Sequence, residues 1–427
     1  MALHVAPPGR RLAVVLAVAM TVGGCRTPTP ATEPAQEGDP GQAVADADQH
    51  RWHAPRKAAR NAPRRTPEPA PHLDALSKLA QQVKHDLEAH GITQDLDVGV
   101  IYQHANPNGA PTEDESTATW QSVGDWALTE PADGEGTFYL SWIAFGAKGL
   151  GHDTDDGNLS GLIGSISDLN STDWPNAAIV DELALKYVSA DGTRTVSAGK
   201  VDLSYHFDTN RAANDGYTQF MAFSLVNNIS IPFPGFGSTG VWGRLDDGDR
   251  YLLLGVADSA MFKAVAPWEE MDGSWYELAE LGFHYEAESL GKGTLRVNPW
   301  HNHLYGEDGW GLGVNLDQEL GSEKHLGFFR AGAGDGDVTP VRRFLSGGVG
   351  LTGLFDRPDD TLGIGASWSD PAQDNGTRAE TLIETYYAFQ LTPTVSLTPD
   401  VQVVFHPSGD RDSDRVVVAG LRLMVQF

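Results

Sequence analysis

The last eight residues of the chain, 420–427, read GLRLMVQF. Leu421, Leu423, Val425 and Phe427 occupy alternate positions, and Arg422 is one of the residues between them. Successive side chains of a β-strand point to opposite faces, so this segment predicts a strand with one apolar face. The alternation suits a membrane-spanning barrel, between lipid and an aqueous lumen, and it equally suits a half-buried strand of a soluble sandwich.

The lengths of the connections separate these two architectures. Counting back from the C-terminus, short joints alternate with longer polar stretches, at residues 392–394 and 406–414, 355–360 and 370–379, and 320–323 and 332–341. Barrels of outer membranes have short periplasmic turns and longer external loops, whereas a soluble sandwich has no reason to sort its loops by length. The pattern therefore predicts a transmembrane barrel.

The strand count follows from the same alternation. Roughly 17 candidate strands, one of them weak, can be marked after Asp95, and single-chain barrels of this kind have an even number. The sequence thus predicts an all-β fold, a 16-stranded antiparallel transmembrane β-barrel over residues 92–427. Apolar residues at three- and four-residue steps from Leu73 to Leu87, followed by Gly91, predict a short amphipathic helix over residues 72–91 that precedes it.

The N-terminal segment has the features of an export signal. Arg10 and Arg11 precede a short apolar run, and residues 22–25 (VGGC) resemble the lipobox of bacterial lipoproteins. We therefore predict a lipoprotein-type signal peptide over residues 1–25, with Cys25 lipidated, although an ordinary signal peptide with an incidental cysteine remains the alternative. Residues 26–71 are rich in proline and alanine and have no apolar periodicity, which predicts a disordered linker.

The charge of the chain limits its partners. The formal net charge is −28, and because residues 1–71 hold nine basic and six acidic residues, the acidic excess lies in residues 72–427. Binding of nucleic acid requires a basic surface, so no nucleic-acid partner is expected. An anion or phosphate channel would need a basic lining as well. Neutral solutes or cations fit this composition better.

Several segments carry a resemblance to a known family. They are residues 199–202 (GKVD), 207–210 (FDTN), 277–283 (ELAELGF), 384–387 (ETYY), 390–393 (QLTP), 397–402 (LTPDVQ) and 420–422 (GLR). With them the chain resembles the carbohydrate-selective porins of the OprB family, over roughly residues 73–427. The resemblance implies a 16-stranded barrel that admits monosaccharides by facilitated diffusion. The final Phe427 resembles the terminal aromatic signal of outer-membrane barrels, which implies the barrel-assembly machinery as a partner.

The widest gap between predicted strands runs from His206 to Gly240 and suggests a site. A long loop folded into the lumen is the usual way in which a wide barrel forms a constriction. Sugars need planar hydrogen-bonding partners, which Asp208, Asn210 and Arg211 offer, so we predict these three as solute contacts. The alternative is an external loop that caps the barrel. By alternation, three further polar residues are expected to face the lumen as water-contacting wall: Arg422, Gln402 and Gln390.

No pattern in the sequence indicates catalysis, a cofactor or a metal. There is no nucleophile elbow or zinc-hydrolase helix motif, and residues 301–303 (HNH) lack a third ligand at a recognised spacing. We therefore predict an outer-membrane porin that is not an enzyme, with its N-terminus in the periplasm and sugars as solutes. A barrel lipase or deacylase is one alternative. Another is an envelope-tethering lipoprotein with a plugged barrel, in which the basic segment 51–65 contacts peptidoglycan. Porins are often homotrimers, but no segment marks an interface.

Overall fold

The computed structural model of the protein describes residues 71–107, 113–129, 134–150, 158–173, 178–235, 237–259, 273–304, 307–372, 378–410 and 413–427. The predicted signal peptide with Cys25 lies outside the described residues, as does the linker up to residue 70.

The described chain consists of sixteen strands and four helices. The helices are α1 (Pro71–Glu88), α2 (Leu159–Ile163), α3 (Leu203–His206) and α4 (Phe223–Val226). The first eight strands are β1 (Ile92–Pro107), β2 (Glu113–Ala127), β3 (Thr137–Gly149), β4 (Ala178–Val188), β5 (Arg194–Val201), β6 (Ser238–Asp246), β7 (Arg250–Asp258) and β8 (Trp275–Ala287). The other eight are β9 (Gly291–Leu304), β10 (Glu307–Ser322), β11 (His325–Gly334), β12 (Val341–Thr352), β13 (Thr361–Pro371), β14 (Glu380–Gln390), β15 (Val395–Phe405) and β16 (Arg415–Gln426).

Each strand pairs in antiparallel fashion with its neighbours in sequence, and β1 pairs with β16, so the sheet is a closed barrel. Closure extends to the last residue, because Phe427 N donates to Leu96 O at 2.8 Å and Leu96 N donates to Phe427 O at 3.2 Å. The predicted 16-stranded antiparallel barrel is confirmed, and so is the helix that precedes it.

The barrel has its apolar side chains outside and its charged side chains inside. Leu183 and Leu185 of β4 are 50% and 51% exposed, whereas Arg296 of β9, Arg330 of β11 and Arg422 of β16 are fully buried. A soluble sandwich would have the opposite distribution, since charges are costly to bury in a dry core. The outward residues suit lipid and the inward residues suit a polar lumen.

The longest connections all lie at one end of the barrel. The end that holds the start of β1 and the end of β16 also holds the short turns, such as 247–249, 288–290 and 323–324. The opposite end holds the three longest connections, 150–177, 202–237 and 259–274. Both features agree with the lengths read from the sequence and give the barrel a defined polarity.

Helix α1 lies against the end of the barrel that carries the short turns. Ser77 Oγ is 2.7 Å from Thr394 Oγ1 in the β14–β15 turn, and Lys84 Nζ donates to Asp95 of β1 at 2.8 Å. Within the described residues, no helix is long and apolar enough to cross a bilayer.

Candidate constriction and solute passage

The connection between β5 and β6, residues 202–237, folds into the barrel instead of extending from its mouth. We call it the inner loop; all of it except residue 236 is described. Its first turn, α3, begins at Asp202, whose carboxylate accepts from Ser204 N at 2.9 Å and satisfies a helix N–H that would otherwise lack an acceptor. Phe220, Ala222 and Leu225 of the inner loop are fully buried, which is possible only where the barrel wall surrounds them.

A second segment, residues 158–173, also enters the lumen; we call it the inner segment. Its Leu169 carbonyl accepts from Gln103 of β1 at 3.0 Å and from Gln402 of β15 at 2.9 Å. The inner segment contacts the inner loop directly, since Ser171 N donates to Met221 O at 2.8 Å. The two segments therefore brace each other inside the barrel.

Asp208 is the most heavily bonded residue of the inner loop. Its backbone is left-handed, with φ of 54°, a conformation that aspartate tolerates better than most residues. Arg330 of β11 donates from Nε to its carboxylate at 2.8 Å and from Nη2 to its carbonyl at 3.0 Å. Asn315 of β10 also donates to the carboxylate, at 2.9 Å. The negative charge of Asp208 is thus paired with the guanidinium of Arg330 on the barrel wall.

Asn210 and Arg211 continue this attachment. Asn210 is 1% exposed and donates to Asn315 Oδ1 at 2.8 Å. Arg211 forms ion pairs with Asp317 of β10 at 2.5 Å and with Glu319 of the same strand at 3.0 Å. Hydrogen bonds from arginine to carboxylates are strong and directional, so these contacts fix the position of the inner loop.

The middle of the inner loop is held by strands near the C-terminus. The Glu384 carboxylate of β14 accepts from Met221 N at 2.6 Å and from Ala222 N at 2.9 Å. Arg422 of β16 donates to Gly216 O at 2.5 Å and to Gln219 O at 2.7 Å. Arg422 and Gln402 face the lumen, as the alternation predicts, but the expectation that they contact water is wrong, because both are fully buried and donate to the backbone of the two inner elements.

An apolar cluster supports these polar contacts. Phe220 lies edge-on to Tyr386 of β14, with ring centroids 5.0 Å apart, and 5.5 Å from the ring of Phe328 on β11. Tyr386 can lie flat along the wall because its neighbour on β13 is Gly363, where an added Cβ would sit 2.0 Å from the tyrosine ring. Apolar burial and charged anchors thus hold the inner loop against β10–β16.

A cavity of about 690 Å³ remains on the other side of the barrel. Its wall comes from β1–β7, and the inner loop and the inner segment form its other face. It extends to the short turns at 191–193 and 246–248, so it opens toward that end of the barrel. The inner loop therefore divides the lumen into a filled half and an open half.

Aromatic rings and carboxylates line this cavity together. The partly exposed rings of Tyr205, Phe223 and Phe233 belong to the inner loop. The carboxylates include Asp97 of β1 and Asp215 of the inner loop. This combination offers flat apolar faces beside hydrogen-bond acceptors, which suits a polar solute with an apolar face.

One side of the cavity is stiffened by a stacked pair. The His206 ring lies 4.2 Å from the ring of Trp242 on β6, and His206 Nε2 is 2.8 Å from the Glu182 carboxylate of β4. Trp242 is 6% exposed, so its position is fixed by packing. These contacts keep the start of the inner loop against the open half of the barrel.

The three predicted solute contacts lie together at the attachment of the inner loop to the wall, and none of them lines the cavity. Direct contact of Asp208, Asn210 and Arg211 with solute stays a prediction. The cavity residues Asp97, Asp215 and Tyr205 are not among the solute contacts predicted from the sequence. The strand period of β1 is the one signal that would have found Asp97, because it places this residue on the lumen face.

Comparison with known proteins gives consistent matches. Residues 277–427 match the model of the family described as "Carbohydrate-selective porin, OprB family". The chain is 26% identical over 375 residues to Porin AaxA of Chlamydia abortus, covering 82% of this chain and 79% of that one. It is 24% identical to Porin AaxA of Chlamydia felis, with 82% and 80% covered.

The fold is shared with a solved porin. The high-pH structure of Pseudomonas putida OprB matches with a TM-score of 0.67 at 15% identity, covering 82% of this chain and 97% of that chain. The barrel and the related sequences identify an outer-membrane porin that passes small solutes. The family model confirms the resemblance to the carbohydrate-selective porins of the OprB family over residues 277–427, and the barrel fold is shared with Pseudomonas putida OprB over most of the chain.

Proposed function

We propose that this porin lets small hydrophilic solutes, monosaccharides among them, diffuse through the cavity between the inner loop and strands β1–β7. The proposal includes no chemical step. Selection is by width and by weak contacts at the cavity wall, weak enough for the solute to leave. The observation that carries the proposal is the division of the lumen, in which one half is filled by the anchored inner loop and the other holds a cavity of about 690 Å³.

The cavity supports sugars as solutes by its size and its lining. Its volume lies within the roughly 300–1,000 Å³ that small-molecule sites occupy. Tyr205 and Phe233 can cover the apolar face of a pyranose ring, while Asp97, Asn214 and Asp215 can accept or donate hydrogen bonds at its rim. Asp208, Asn210 and Arg211 then contribute by positioning the inner loop.

Replacing Tyr205 by alanine should weaken the block of ion current by glucose. Tyr205 is partly exposed, lines the cavity, and stands edge-on to His206 with ring centroids 5.5 Å apart. Loss of one stacking face is worth about 0.5–1.5 kcal/mol, so the glucose concentration for half block should rise roughly threefold to tenfold. The measurement is single-channel current in a planar bilayer with glucose titrated on both sides.

The control for this variant is Phe355→Ala. Phe355 is 77% exposed in the β12–β13 turn and does not line the cavity, so its removal should leave the glucose block unchanged. Large steps without any glucose block in the unmodified protein would remove the sugar proposal and keep the porin. Absence of steps from a folded barrel would favour the plugged, envelope-tethering alternative.

We further propose that the end with the short turns faces the periplasm, which places α1 and the chain before it on that side. A lipid on Cys25 would then anchor the linker at a membrane surface, and the basic segment 51–65 would be free to approach peptidoglycan. Globomycin treatment of cells, with mass measurement of the exported chain, tests lipidation: an uncleaved precursor supports it, and normal processing contradicts it. Recognition of Phe427 by the barrel-assembly machinery and trimer formation remain predictions from the resemblance.

A further inference from the structure

The ionisable side chains that line the cavity are mostly acidic. Eight carboxylates face it: Asp95, Asp97, Asp181, Asp191, Asp202, Asp215, Asp246 and Asp247. The basic or titratable nitrogen groups on the lining are Arg244 and His206. The guanidinium of Arg244 is already engaged, since it donates to Asp246 at 2.7 Å and lies 3.7 Å from the centre of the Tyr251 ring. The passage therefore carries an excess of negative charge.

Three of these carboxylates come from three different elements and line the cavity together with Tyr217. Asp97 belongs to β1, Asp181 to β4 and Asp215 to the inner loop, and all three act electrostatically on the phenol of Tyr217. Burial raises the pKa of this phenol well above its usual value, and the negative charges of the three aspartates raise it further. Asp97 and Asp181 are each 6% exposed. Three different elements thus each contribute a carboxyl group to the lining of the cavity.

Asp181 owes its position to an irregularity in β4. The register of β3 against β4 shifts so that Ile143 pairs with Glu182 and Ala144 pairs with Val180, which leaves Asp181 as an extra residue. A bulge of this kind re-aims a side chain and is frequent beside functional sites. Because of it, Asp181 and Glu182 are both buried although they are consecutive in the sequence.

The Asp181 carboxylate lacks a partner on one side. No donor among the described residues reaches its Oδ1, although the atom is buried. Lys200 of β5 and Asp202 both lie near enough to act on Asp181 electrostatically, and Lys200 Nζ donates to Val180 O at 2.6 Å. The ammonium group of Lys200 therefore stands beside the carboxyl groups of Asp181 and Asp202. A buried carboxylate oxygen without a donor is costly unless a cation or water reaches it from the cavity.

We infer that the passage is selective for cations over anions, and that the carboxylates on its lining, Asp97 and Asp215 among them, set this selectivity, with Asp181 Oδ1 as a contact for the passing cation. The inference rests on the proposed function, because it takes the cavity as the conducting route. Rings of carboxylates favour cations in channels, and low-dielectric walls strengthen their field. Neutral sugars carry no charge for this field to act on, so both kinds of solute can share the passage.

The negative potential extends to the mouth of the cavity. In the β4–β5 turn, hydrogen bonds from Ser189 and from Thr193 lower the pKa of Asp191 to about 2. Asp247 in the β6–β7 turn has its pKa lowered by hydrogen bonds from Arg250. Both carboxylates are therefore charged at neutral pH and attract cations toward the same entrance.

Reversal potentials of the full-length protein in planar bilayers test the inference. Under a tenfold gradient of KCl, we expect the unmodified protein to favour K⁺ over Cl⁻ by a ratio on the order of ten. In the variant Asp97→Asn/Asp181→Asn/Asp215→Asn this ratio should fall at least about threefold, because the lining of the cavity loses negative charge. Single-channel conductance steps should persist in both proteins.

The matched control is Asp249→Asn/Asp356→Asn/Asp359→Asn. It removes three carboxylates from turns at the same end of the barrel, none of which lines the cavity, and so makes the same change in net charge. Its permeability ratio should equal that of the unmodified protein. If the cavity variant fails to fold, the K⁺ to Cl⁻ permeability ratios of the single variant Asp215→Asn and of the unmodified protein test the inference.

The outcomes are distinct for the two proposals. Conducting steps with a K⁺ to Cl⁻ ratio near one, or a ratio unchanged in the folded cavity variant, would overturn the cation selectivity and leave the porin intact. An equal fall in the control variant would overturn it too, since the effect would then come from net charge alone. Absence of conductance from a folded barrel would refute the proposed route and the inference together.

Discussion

Replacing Arg330 by alanine should release the inner loop from the barrel wall. Arg330 is fully buried and makes three contacts with the inner loop, two to Asp208 and one, at 2.9 Å, to the carbonyl of Leu225. Without it, the Asp208 carboxylate is buried beside Glu280 and has lost its arginine partner. Breaking a buried ion pair in this way costs about 3–5 kcal/mol.

The loss should appear in two measurements. The free energy of unfolding can be obtained from urea titration of the detergent-solubilised barrel. It should fall by about 3–5 kcal/mol if the inner loop remains buried, and by less if the inner loop detaches into water. Single-channel current should become noisier and larger on average, because a detached loop exposes part of the filled half of the lumen. The gain in conductance therefore reports detachment more directly than stability does.

Arg250→Ala is the matched control for Arg330→Ala. Arg250 pairs with Asp247 at 3.0 Å, but the two side chains are 72% and 55% exposed, and an exposed ion pair contributes at most about 1 kcal/mol. We expect current noise in the control to match the unmodified protein. A quiet channel of unchanged conductance in Arg330→Ala would show that the inner loop is held without this pair.

Replacing Gly363 of β13 by alanine should displace the inner loop indirectly, through the ring of Tyr386. A Cβ at Gly363 would lie 2.0 Å from a ring carbon of Tyr386, which is 1% exposed and stands against Phe220. The tyrosine ring must move, and overpacking of this kind costs about 1–3 kcal/mol. Movement of Tyr386 displaces Phe220, so we expect lower stability together with altered conductance.

The partner of Gly363 across the β12–β13 pair supplies the control. Gly350 also faces the lumen, yet an added Cβ there would meet its nearest neighbour, the Ala212 carbonyl, at an ordinary 3.9 Å. Gly350→Ala should therefore leave unfolding and conductance close to those of the unmodified protein. Equal effects of the two substitutions would contradict a role for the Tyr386–Phe220 contact, since they add the same atom to neighbouring strands.

Period-two alternation predicted the strands, and loop lengths predicted which ends of the barrel they join, because both depend on local geometry. The span without strands after His206 predicted the inner loop for the same reason. What the sequence could not give was the partner of each buried charge. Asp208 and Arg330 are 122 residues apart, and only closure of the barrel brings them together.

The residues that line the cavity could not be predicted from the sequence for a related reason. Asp181 lines the cavity because β4 carries one extra residue opposite β3, and a bulge interrupts the alternation from which facing is predicted. The predicted contacts Asp208, Asn210 and Arg211 have the chemistry that binds sugars, but the same groups also bind a protein backbone. Sequence alone does not distinguish a side chain that meets solute from one that meets its own barrel.

The inner loop is anchored mainly on one side of the barrel. The strands that anchor it and the strands that line the cavity therefore lie largely in different parts of the sequence. Most of the strands that anchor the inner loop, β10–β16, lie within the stretch matched by the family model, whereas the strands that line the cavity, β1–β7, precede that stretch. The residues that line the cavity therefore lie in the first part of the barrel sequence, and most of the strands that anchor the inner loop lie in the second part. Exchange of residues 92–258, which include the inner loop, between related porins should transfer solute preference, with strands β10–β16 of the recipient still anchoring the loop.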